Sequence, residues 1–194
     1  MRQYSEYLAG EISKELGKSL INWAMPNSQS VIILGSSRSQ GDTRKVIDFI
    51  RQEMPIDLID LNHKNISYYD YDHKNQGDDY LNLMEELIGY STFIMATPVY
   101  WYSMSAPMKT FFDRLSDLVT IRKDLGKGLA GKKMASISCG SDNDLKDGFY
   151  MPFRETAYYL KMDYLGHLHT WVENQKIPNT VTTMIKEFIS RQPF

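Results

Sequence analysis

The amino-acid sequence predicts a single α/β domain in which a parallel sheet carries helices on both faces. Short apolar runs rich in β-branched residues alternate along the chain with stretches whose apolar residues recur at helical spacing. Repeated β–α units of this kind require right-handed crossovers, and therefore a parallel sheet between two helical layers. The 194 residues fit one ordinary domain, and 42% hydrophobic with 24% charged residues exclude wholesale disorder.

Five runs are predicted to form strands. The first is Ser30–Leu34 (SVIIL), a β-branched run followed by a loop rich in glycine and serine. The other four are residues 56–61 (IDLIDL), 91–96 (STFIMA), 132–138 (KKMASIS) and 163–171 (DYLGHLHTW). Gly166 lowers the strand propensity of the last run, because glycine brings no side chain to a sheet.

Five stretches are predicted to form helices, and a long loop interrupts them. The first helix covers residues 43–54, where Val46, Ile47 and Ile50 share an apolar face and Pro55 ends the helix. The others are residues 78–90 (capped by Asp78 or Asp79), 106–118 (with Pro107 in the first turn), 151–162 and 180–191. Residues 62–77 are polar, rich in tyrosine and without period, which indicates a long loop.

Five β–α units suit the flavodoxin-like strand order 2-1-3-4-5. This fold is a three-layer α/β/α sandwich whose ligand lies at the carboxyl ends of the strands. We expect this domain to cover residues 29–194, preceded by a helical extension at residues 1–28. The extension carries an apolar stripe at near-helical spacing: Tyr4, Leu8, Ile12, Leu16, Leu20 and Trp23. The stripe would pack either on its own domain or against another subunit.

Charge and cysteine content exclude several classes of function. Lys and Arg total 22 against 24 Asp and Glu, a net charge of −2, whereas coating nucleic acid requires a basic excess. One cysteine, Cys139, excludes an internal disulfide framework, a four-cysteine zinc site and a cysteine-ligated iron–sulfur cluster. The apolar runs are too short for a membrane span, and residues 1–20 lack the apolar segment of a secretory signal. We expect a cytoplasmic protein without nucleic-acid or membrane partners.

The first candidate site is the 35–43 loop (GSSRSQGDT), which joins the first strand to the first helix. At a helix N-terminus, free N–H groups and the helix dipole favour an anion. Arg38 adds a planar cation, and small residues let a phosphate approach the backbone. Further donors are the hydroxyls of Ser36, Ser37, Ser39 and Thr43. The spacing fits neither a Walker A loop nor the dinucleotide fingerprint. The alternative is a turn capped by Asp42 that binds no ligand.

The second candidate site is the segment of residues 96–109 (ATPVYWYSMSAPMK) after the third strand. The third strand should lie beside the first, across the switch point of the sheet. Three consecutive aromatic residues, Tyr100, Trp101 and Tyr102, cannot all lie in the core. A flat heteroaromatic ligand would give their rings a partner, and backbone N–H groups at 99–103 could bind its polar edge. An aromatic surface cluster or a subunit contact would also account for them.

Both segments resemble one protein family. GSSRSQGDT resembles the GSxRxxGNT phosphate loop of the flavodoxin-like NADPH-dependent FMN reductase family, and TPVYWYSMSAPMKTFFDRL resembles its second flavin loop and the helix that follows. The resemblance covers about residues 30–190. It implies an oxidoreductase that passes a hydride from NADPH or NADH through FMN to a small acceptor: a quinone, an azo or nitro compound, or free flavin. It also implies a homodimer or homotetramer whose flavin pocket is completed at the subunit interface.

The resemblance assigns roles to individual residues. The FMN phosphate would contact Ser36, Arg38 and Thr43, with loop contacts from Ser37, Ser39 and Gln40. The flavin ring would be wrapped by Pro98, Val99, Tyr100, Trp101 and Tyr102. The turn Ser138-Cys139-Gly140-Ser141 after the fourth strand resembles the family's third flavin loop, where the Cys139 thiol would be a small wall and not a nucleophile. No side chain is expected to act as nucleophile or general base.

Asp42 departs from the family pattern, which has Asn at this position. Its carboxylate would lie near a dianionic phosphate and lower the affinity for it, although as a helix cap it would satisfy N–H groups. Asp42 also supports one alternative, a flavin-free binding module of the same fold. A second alternative is a flavodoxin-type electron carrier, although such carriers are usually far more acidic than a net charge of −2.

We expect the remaining polar residues to have ordinary structural roles. His167 and His169 alternate on the fifth strand without an evident third ligand, so we expect no metal site. Asp113 and Arg114 are predicted to cap and charge their helix. The tyrosine-rich loop of residues 62–77 would either roof the substrate pocket or remain a solvated loop.

Overall fold

A five-stranded parallel sheet forms the middle layer of the structure, a computed structural model that describes residues 29–192 and 194. The strands are β1 (Ser30–Leu34), β2 (Asp57–Asp60), β3 (Thr92–Tyr100), β4 (Ser103–Met104), β5 (Lys133–Gly140) and β6 (Asp163–Trp171). The parallel strands lie in the order β2-β1-β3-β5-β6, and β4 pairs antiparallel with the end of β3. Since β5 and β6 are the fourth and fifth parallel strands, the predicted flavodoxin-like order is confirmed.

The described part of the chain forms seven α-helices. They are α1 (Asp42–Glu53), α2 (Tyr80–Leu87), α3 (Ala106–Asp113), α4 (Leu115–Thr120), α5 (Lys123–Gly128), α6 (Met151–Tyr159) and α7 (Asn179–Ser190). Helices α2, α3 and α6 bury Leu83, Phe111 and Phe153 in one apolar cluster. Helices α1 and α7 bury Ile47 and Ile185 in a second cluster. The two clusters are the two faces of the sheet, which confirms the three-layer arrangement.

β1 belongs to both clusters, as expected of a central parallel strand. All five of its residues are buried. Side chains alternate between the faces of a strand, so Val31 and Ile33 pack in the first cluster and Ile32 and Leu34 in the second. This explains why the run reads as continuously apolar. The strand places the 35–43 loop at the carboxyl edge of the sheet.

Two predicted elements differ from the structure in more than small shifts of their ends. The helix predicted at residues 106–118 is divided into α3 and α4, which meet at Arg114. The third strand, predicted to end at residue 96, continues to Tyr100 and turns back into β4. The prediction missed this because Pro98 and the aromatic residues read as a loop, whereas the antiparallel pairing with β4 is a tertiary feature.

The last strand has the predicted bounds despite its glycine. Gly166 has φ +102°, and the register between β5 and β6 shifts between Met134 and Ala135. Glycine adopts this conformation without the steric cost that a Cβ brings, so it suits a β-bulge. The bulge keeps the later part of β6 paired with β5, including Ser138 opposite His169.

Arg114 does not charge its helix as predicted. It is completely buried at the α3–α4 junction, and its guanidinium lies 2.7 Å from Asp117 and 2.5 Å from Asp78. It also donates to the Ser67 carbonyl at 3.1 Å, and it lies 4.7 Å from the centre of the Tyr80 ring. The long loop is therefore held to α4 by a buried ion network, which the sequence did not reveal because its partners are up to 47 positions apart.

The predicted helical extension at residues 1–28 lies outside the described residues.

Asp113, the neighbour of Arg114, forms an exposed ion pair with Lys109 at 2.5 Å. No helix among residues 29–192 combines the length and the apolarity that crossing a membrane would require.

Candidate functional site

Three loops meet in one cleft at the carboxyl edge of the sheet. The loops follow β1, β3 and β5, the three central strands, and the cleft has a volume of about 300 Å³. We call it the three-loop cleft, and its lining residues are Ser36, Arg38, Gly41, Asp42, Thr43, Pro98, Val99, Tyr100, Cys139, Gly140 and Ser141. The parallel topology brings these segments together although they are about 100 positions apart, and it places the cleft at the switch point where such folds bind ligands.

The start of the 35–43 loop is fixed by close packing. A Cβ at Gly35 would lie 2.6 Å from the Cβ of Met108 on α3, so only glycine fits here. The Gly35 N–H donates to the Ala96 carbonyl at 2.8 Å, and the Ser105 hydroxyl donates to the Gly35 carbonyl at 2.5 Å. These contacts hold the first loop against the second at the base of the cleft.

The N-terminus of α1 opens into the cleft without a side-chain cap. Gly41 precedes the helix in extended conformation and makes no capping hydrogen bond, so Asp42 is the first helical residue. The prediction that Asp42 caps this helix is therefore wrong. Thr43 and Ser36, both buried, line the cleft beside these N–H groups. Helix N–H groups and hydroxyls together form a set of donors for an anion.

The charged side chains near the N-terminus of α1 differ in whether they already have a partner within the protein. The Asp42 carboxylate, 49% exposed, is paired with Lys45 at 2.8 Å, and Lys45 also donates to the Gln175 side chain. Arg38 is exposed, and its guanidinium makes no hydrogen bond or ion pair with the rest of the described residues. The carboxylate is thus partly neutralised within the protein, whereas the guanidinium is available to an anionic ligand.

The aromatic segment after β3 forms a tight hairpin beside the cleft. Tyr100 pairs with Ser103, and the two residues between them, Trp101 and Tyr102, have φ values of 48° and 63°. Two consecutive left-handed residues are the geometry of a type I′ turn, which is costly for side chains of this size. The exposed fractions are 44% for Tyr100, 93% for Trp101 and 67% for Tyr102. The prediction that these aromatic residues stay outside the core is confirmed.

Cys139 and Gly140 form the wall on the β5 side. Cys139 is 5% exposed, and burial raises the pKa of its thiol to about 11. The thiol is protonated at neutral pH, which makes it a poor nucleophile. Ser138 lies at the end of the same strand but faces away from the cleft, since its side chain is fully buried and bonds Tyr150 and His169 at 2.7 Å.

The structure brings most of the predicted site residues to the cleft. Those that lie outside its lining are Ser37, Ser39, Gln40, Trp101, Tyr102 and Ser138. The Ser39 hydroxyl instead contacts Asn62 at 3.1 Å and His63 at 3.4 Å. Gly41 and Ser141 also line the cleft; both lie in the loops predicted to hold the cofactor, although no individual contact was predicted for them. The prediction missed Lys45, for which the spacing of three positions from Asp42 on a helix was a usable signal.

The histidines are engaged in local contacts. His73 bonds Asp117 at 2.9 Å, and the His167 ring stacks on Tyr150 with centroids 3.8 Å apart. His169 bonds Ser138 and the Asp142 carbonyl. Within the residues that the structure describes, no three His, Cys, Asp or Glu side chains are grouped to hold a metal ion.

Comparisons with known proteins agree with this architecture. The chain is 26% identical over 152 residues to the NAD(P)H-dependent FMN-containing oxidoreductase YwqN of Bacillus subtilis (strain 168), covering 71% of this chain and 81% of that protein. A solved structure of the Trp repressor binding protein from Bacillus subtilis aligns with a TM-score of 0.67 at 22% identity, covering 84% of this chain and 99% of the other. The general stress protein 14 from Treponema denticola, solved in complex with FMN, aligns with a TM-score of 0.57 at 20% identity, covering 84% and 97%.

The family model for NADPH-dependent FMN reductases matches residues 29–175, well over half of the chain. The matched range begins at the first described residue and contains all three loops of the cleft. The chain therefore belongs to the NADPH-dependent FMN reductase family.

Proposed function

We propose that FMN binds in the three-loop cleft and that the chain transfers reducing equivalents from NAD(P)H to a small acceptor. The enzyme class and the two cofactors, FMN and NAD(P)H, follow from family membership. When bound, FMN supplies the hydride-accepting and hydride-donating chemistry. The acceptor is proposed to be a quinone, an azo or nitro compound, or free flavin.

The observation that carries the proposal is that the cleft is lined partly by donors for an anion and partly by aromatic and apolar side chains. The segment after β1 offers the uncapped N-terminus of α1, the hydroxyls of Ser36 and Thr43 and the available guanidinium of Arg38. The segment after β3 offers the ring of Tyr100 beside the apolar surfaces of Pro98 and Val99. FMN has the same two halves, a phosphate and a flat heteroaromatic ring, so the residues present fit the cofactor.

In this arrangement the protein binds and orients, and its side chains do not need to exchange protons with the substrate. Arg38, Ser36 and the first-turn N–H groups of α1 would hold the phosphate through charge-assisted hydrogen bonds. Tyr100 would stack against the ring. Cys139 would form part of the wall on the β5 side as a neutral thiol because of its raised pKa. The roles of the other predicted residues, Ser37, Ser39, Gln40, Trp101, Tyr102 and Ser138, would be to support these loops or to cover the ring once FMN is bound.

Two further functions are compatible with the fold. A flavodoxin-type carrier would bind FMN but would not oxidise NAD(P)H, and the net charge of −2 argues against it. A flavin-free binding module would have the same fold but would bind no FMN. Steady-state oxidation of NADPH and of NADH, measured with and without a quinone, separates these possibilities. Turnover that requires FMN supports the proposal, bound FMN without turnover indicates a carrier, and failure to bind FMN indicates a binding module.

We further propose that the protein is a cytoplasmic homodimer or homotetramer. Trp101 and Tyr102 present large aromatic surfaces next to the cleft, and a second chain would cover them. A separate groove of about 460 Å³ runs between α4 and α6 and is lined largely by apolar side chains, including Leu115, Val119 and Tyr159. A two-fold pairing would cover such surfaces on both chains at once.

A further inference from the structure

We propose that His169 is a positioning residue that holds the third loop of the cleft in shape for FMN through a directed chain of hydrogen bonds. The inference rests on the proposed binding of FMN in the three-loop cleft. The loop in question is the segment that begins at Ser138 and ends at Asp142. Its middle residues, Cys139, Gly140 and Ser141, line the cleft.

His169 is bonded at both ends of this segment. It lies on β6 directly opposite Ser138 on β5. Its Nδ1 lies 2.7 Å from the Ser138 Oγ, and its Nε2 lies 3.0 Å from the carbonyl oxygen of Asp142. A single imidazole therefore spans the three cleft-lining residues between them.

The chemistry of the partners fixes the direction of every bond. The Asp142 carbonyl can only accept, so Nε2 carries the proton and donates. A neutral imidazole has one donor and one acceptor, so Nδ1 accepts from the Ser138 hydroxyl. The Ser138 oxygen lies 2.7 Å from the Tyr150 hydroxyl, which must then donate to it. The chain thus runs from Tyr150 through Ser138 and His169 to the backbone of the loop.

The surroundings keep the imidazole neutral and in place. Burial lowers the pKa of His169, although the nearby Asp142 and Asp144 oppose the effect. Tyr150 is held by stacking on His167, with ring centroids 3.8 Å apart. A Cβ at Gly140 would lie 2.9 Å from the Cε1 of His169, so the ring occupies the space beside the loop. The imidazole is consequently both a hydrogen-bond bridge and a packing support.

Two conservative replacements separate the two bonds of His169. The amide nitrogen of glutamine reaches the position of Nε2, so His169→Gln retains the donor to the Asp142 carbonyl. The amide oxygen of asparagine reaches the position of Nδ1, so His169→Asn retains the acceptor for Ser138 but does not reach the loop. His169→Ala retains neither bond. The three variants are matched controls for one another because each also removes the ring.

The test measures FMN affinity by fluorescence titration for the wild-type protein and the three variants, with a thermal melt of each. We expect His169→Gln to stay within about threefold of the wild-type affinity. We expect His169→Asn and His169→Ala to bind FMN about five- to tenfold more weakly, the range of one net hydrogen bond. Wild-type affinity in His169→Asn, or equal losses in His169→Asn and His169→Gln, would overturn the inference.

A second measurement makes the inference independent of the proposed function. Hydrogen exchange of the backbone amides of residues 139–142, measured without FMN, reports the order of the loop directly. We expect faster exchange in His169→Asn than in His169→Gln, and unchanged exchange in α1. Equal exchange in the two variants would contradict the role of His169. Failure of the wild-type protein to bind FMN would instead refute the proposed function and leave the exchange result to decide on His169.

Discussion

The ammonium group of Lys45 lies 2.8 Å from the carboxylate of Asp42, one turn along the same helix at the mouth of the three-loop cleft. Lys45 is further tied to Gln175, at the tip of the turn between β6 and α7. The family resemblance predicts a neutral asparagine where Asp42 stands. The lysine therefore offsets a negative charge that would otherwise face an incoming phosphate without compensation.

Replacing Asp42 by asparagine should tighten FMN binding. The variant removes a negative charge near the phosphate and cannot remove a helix cap, because Asp42 does not cap α1. The side chain is 49% exposed, so we expect a modest gain of about two- to fivefold that shrinks as salt screens the charge. Fluorescence titrations at low and high salt measure it. Asp48→Asn is the control, because it makes the same charge change on the same helix at a residue that pairs with Arg44 and does not line the cleft. Weaker binding in Asp42→Asn would refute this account.

Replacing Arg38 by alanine should weaken FMN binding. Its guanidinium has no partner among the described residues and lines the cleft, so the loss is that of a hydrogen bond to a charged group, about 1.5–3 kcal/mol. Equilibrium titration of the variant against the wild-type protein measures this difference. Arg191→Ala removes an equally charged side chain just after α7, outside the lining of the cleft, and should leave affinity unchanged. An Arg38→Ala variant with wild-type affinity would place Arg38 outside the site.

The cleft could be predicted from the sequence because the motifs that form it are short and local. The 35–43 loop and the aromatic segment each lie within a few residues of a strand end, and parallel topology then brings strand ends to the same edge. β1 and β6 were predicted with their observed bounds because apolar patterning marks them. The residues around the cleft could therefore be named before the geometry was known.

The contacts that fix the loops were not predictable in the same way. Arg114 was expected on a helix surface, since nothing nearby in sequence shows that Asp78 lies against it. His169 was expected to be an ordinary structural histidine without a metal, and its hydrogen-bond partners were not predicted, because Ser138 and Asp142 are 31 and 27 positions away. Such pairings depend on strand register and loop packing, which a single sequence does not display.

Replacing Arg114 by methionine should destabilise the fold strongly. The variant would leave the buried carboxylates of Asp78 and Asp117 without their cation, and breaking a buried pair in this way costs about 3–5 kcal/mol. Urea unfolding followed by circular dichroism measures the change. Arg191→Ala, which removes an exposed ion pair, should shift the midpoint far less. A small effect of Arg114→Met would show that the network does not stabilise the loop.

The same network predicts loss of stability in acid. Burial opposes ionisation of Asp78, but hydrogen bonds from Arg114 and from backbone N–H groups lower its pKa below the ordinary 3.8. A carboxyl whose pKa is lowered on folding stabilises the protein above its unfolded pKa, and that contribution disappears as pH falls through the folded pKa. Stability measured against pH should therefore fall below about pH 4. The fall should be smaller in Asp78→Asn, and an identical profile in that variant would contradict the assignment.

The proposed homodimer or homotetramer predicts a sedimenting species of two or four times the 22.5 kDa chain mass at micromolar concentration. Trp101→Glu and Tyr159→Glu place a charge on the hairpin and on the α4–α6 groove respectively, so the variant that dissociates identifies the contact face. Deletion of residues 1–25 tests whether the predicted helical extension contributes. A single 22.5 kDa species for the wild-type protein would contradict both assemblies.

The most direct test of the three-loop cleft compares the binding of FMN and riboflavin to the same protein. The two ligands share the ring and differ in the phosphate, which is the group assigned to Arg38, Ser36 and the N-terminus of α1. Fluorescence titration should show one FMN per chain, bound at least tenfold more tightly than riboflavin, because charge-assisted hydrogen bonds to a phosphate exceed 1.4 kcal/mol together. The difference should become smaller in Arg38→Ala but persist, because Ser36 and the N-terminus of α1 remain as phosphate donors. Equal affinity for the two ligands in the wild-type protein, or no binding of FMN, would contradict the account.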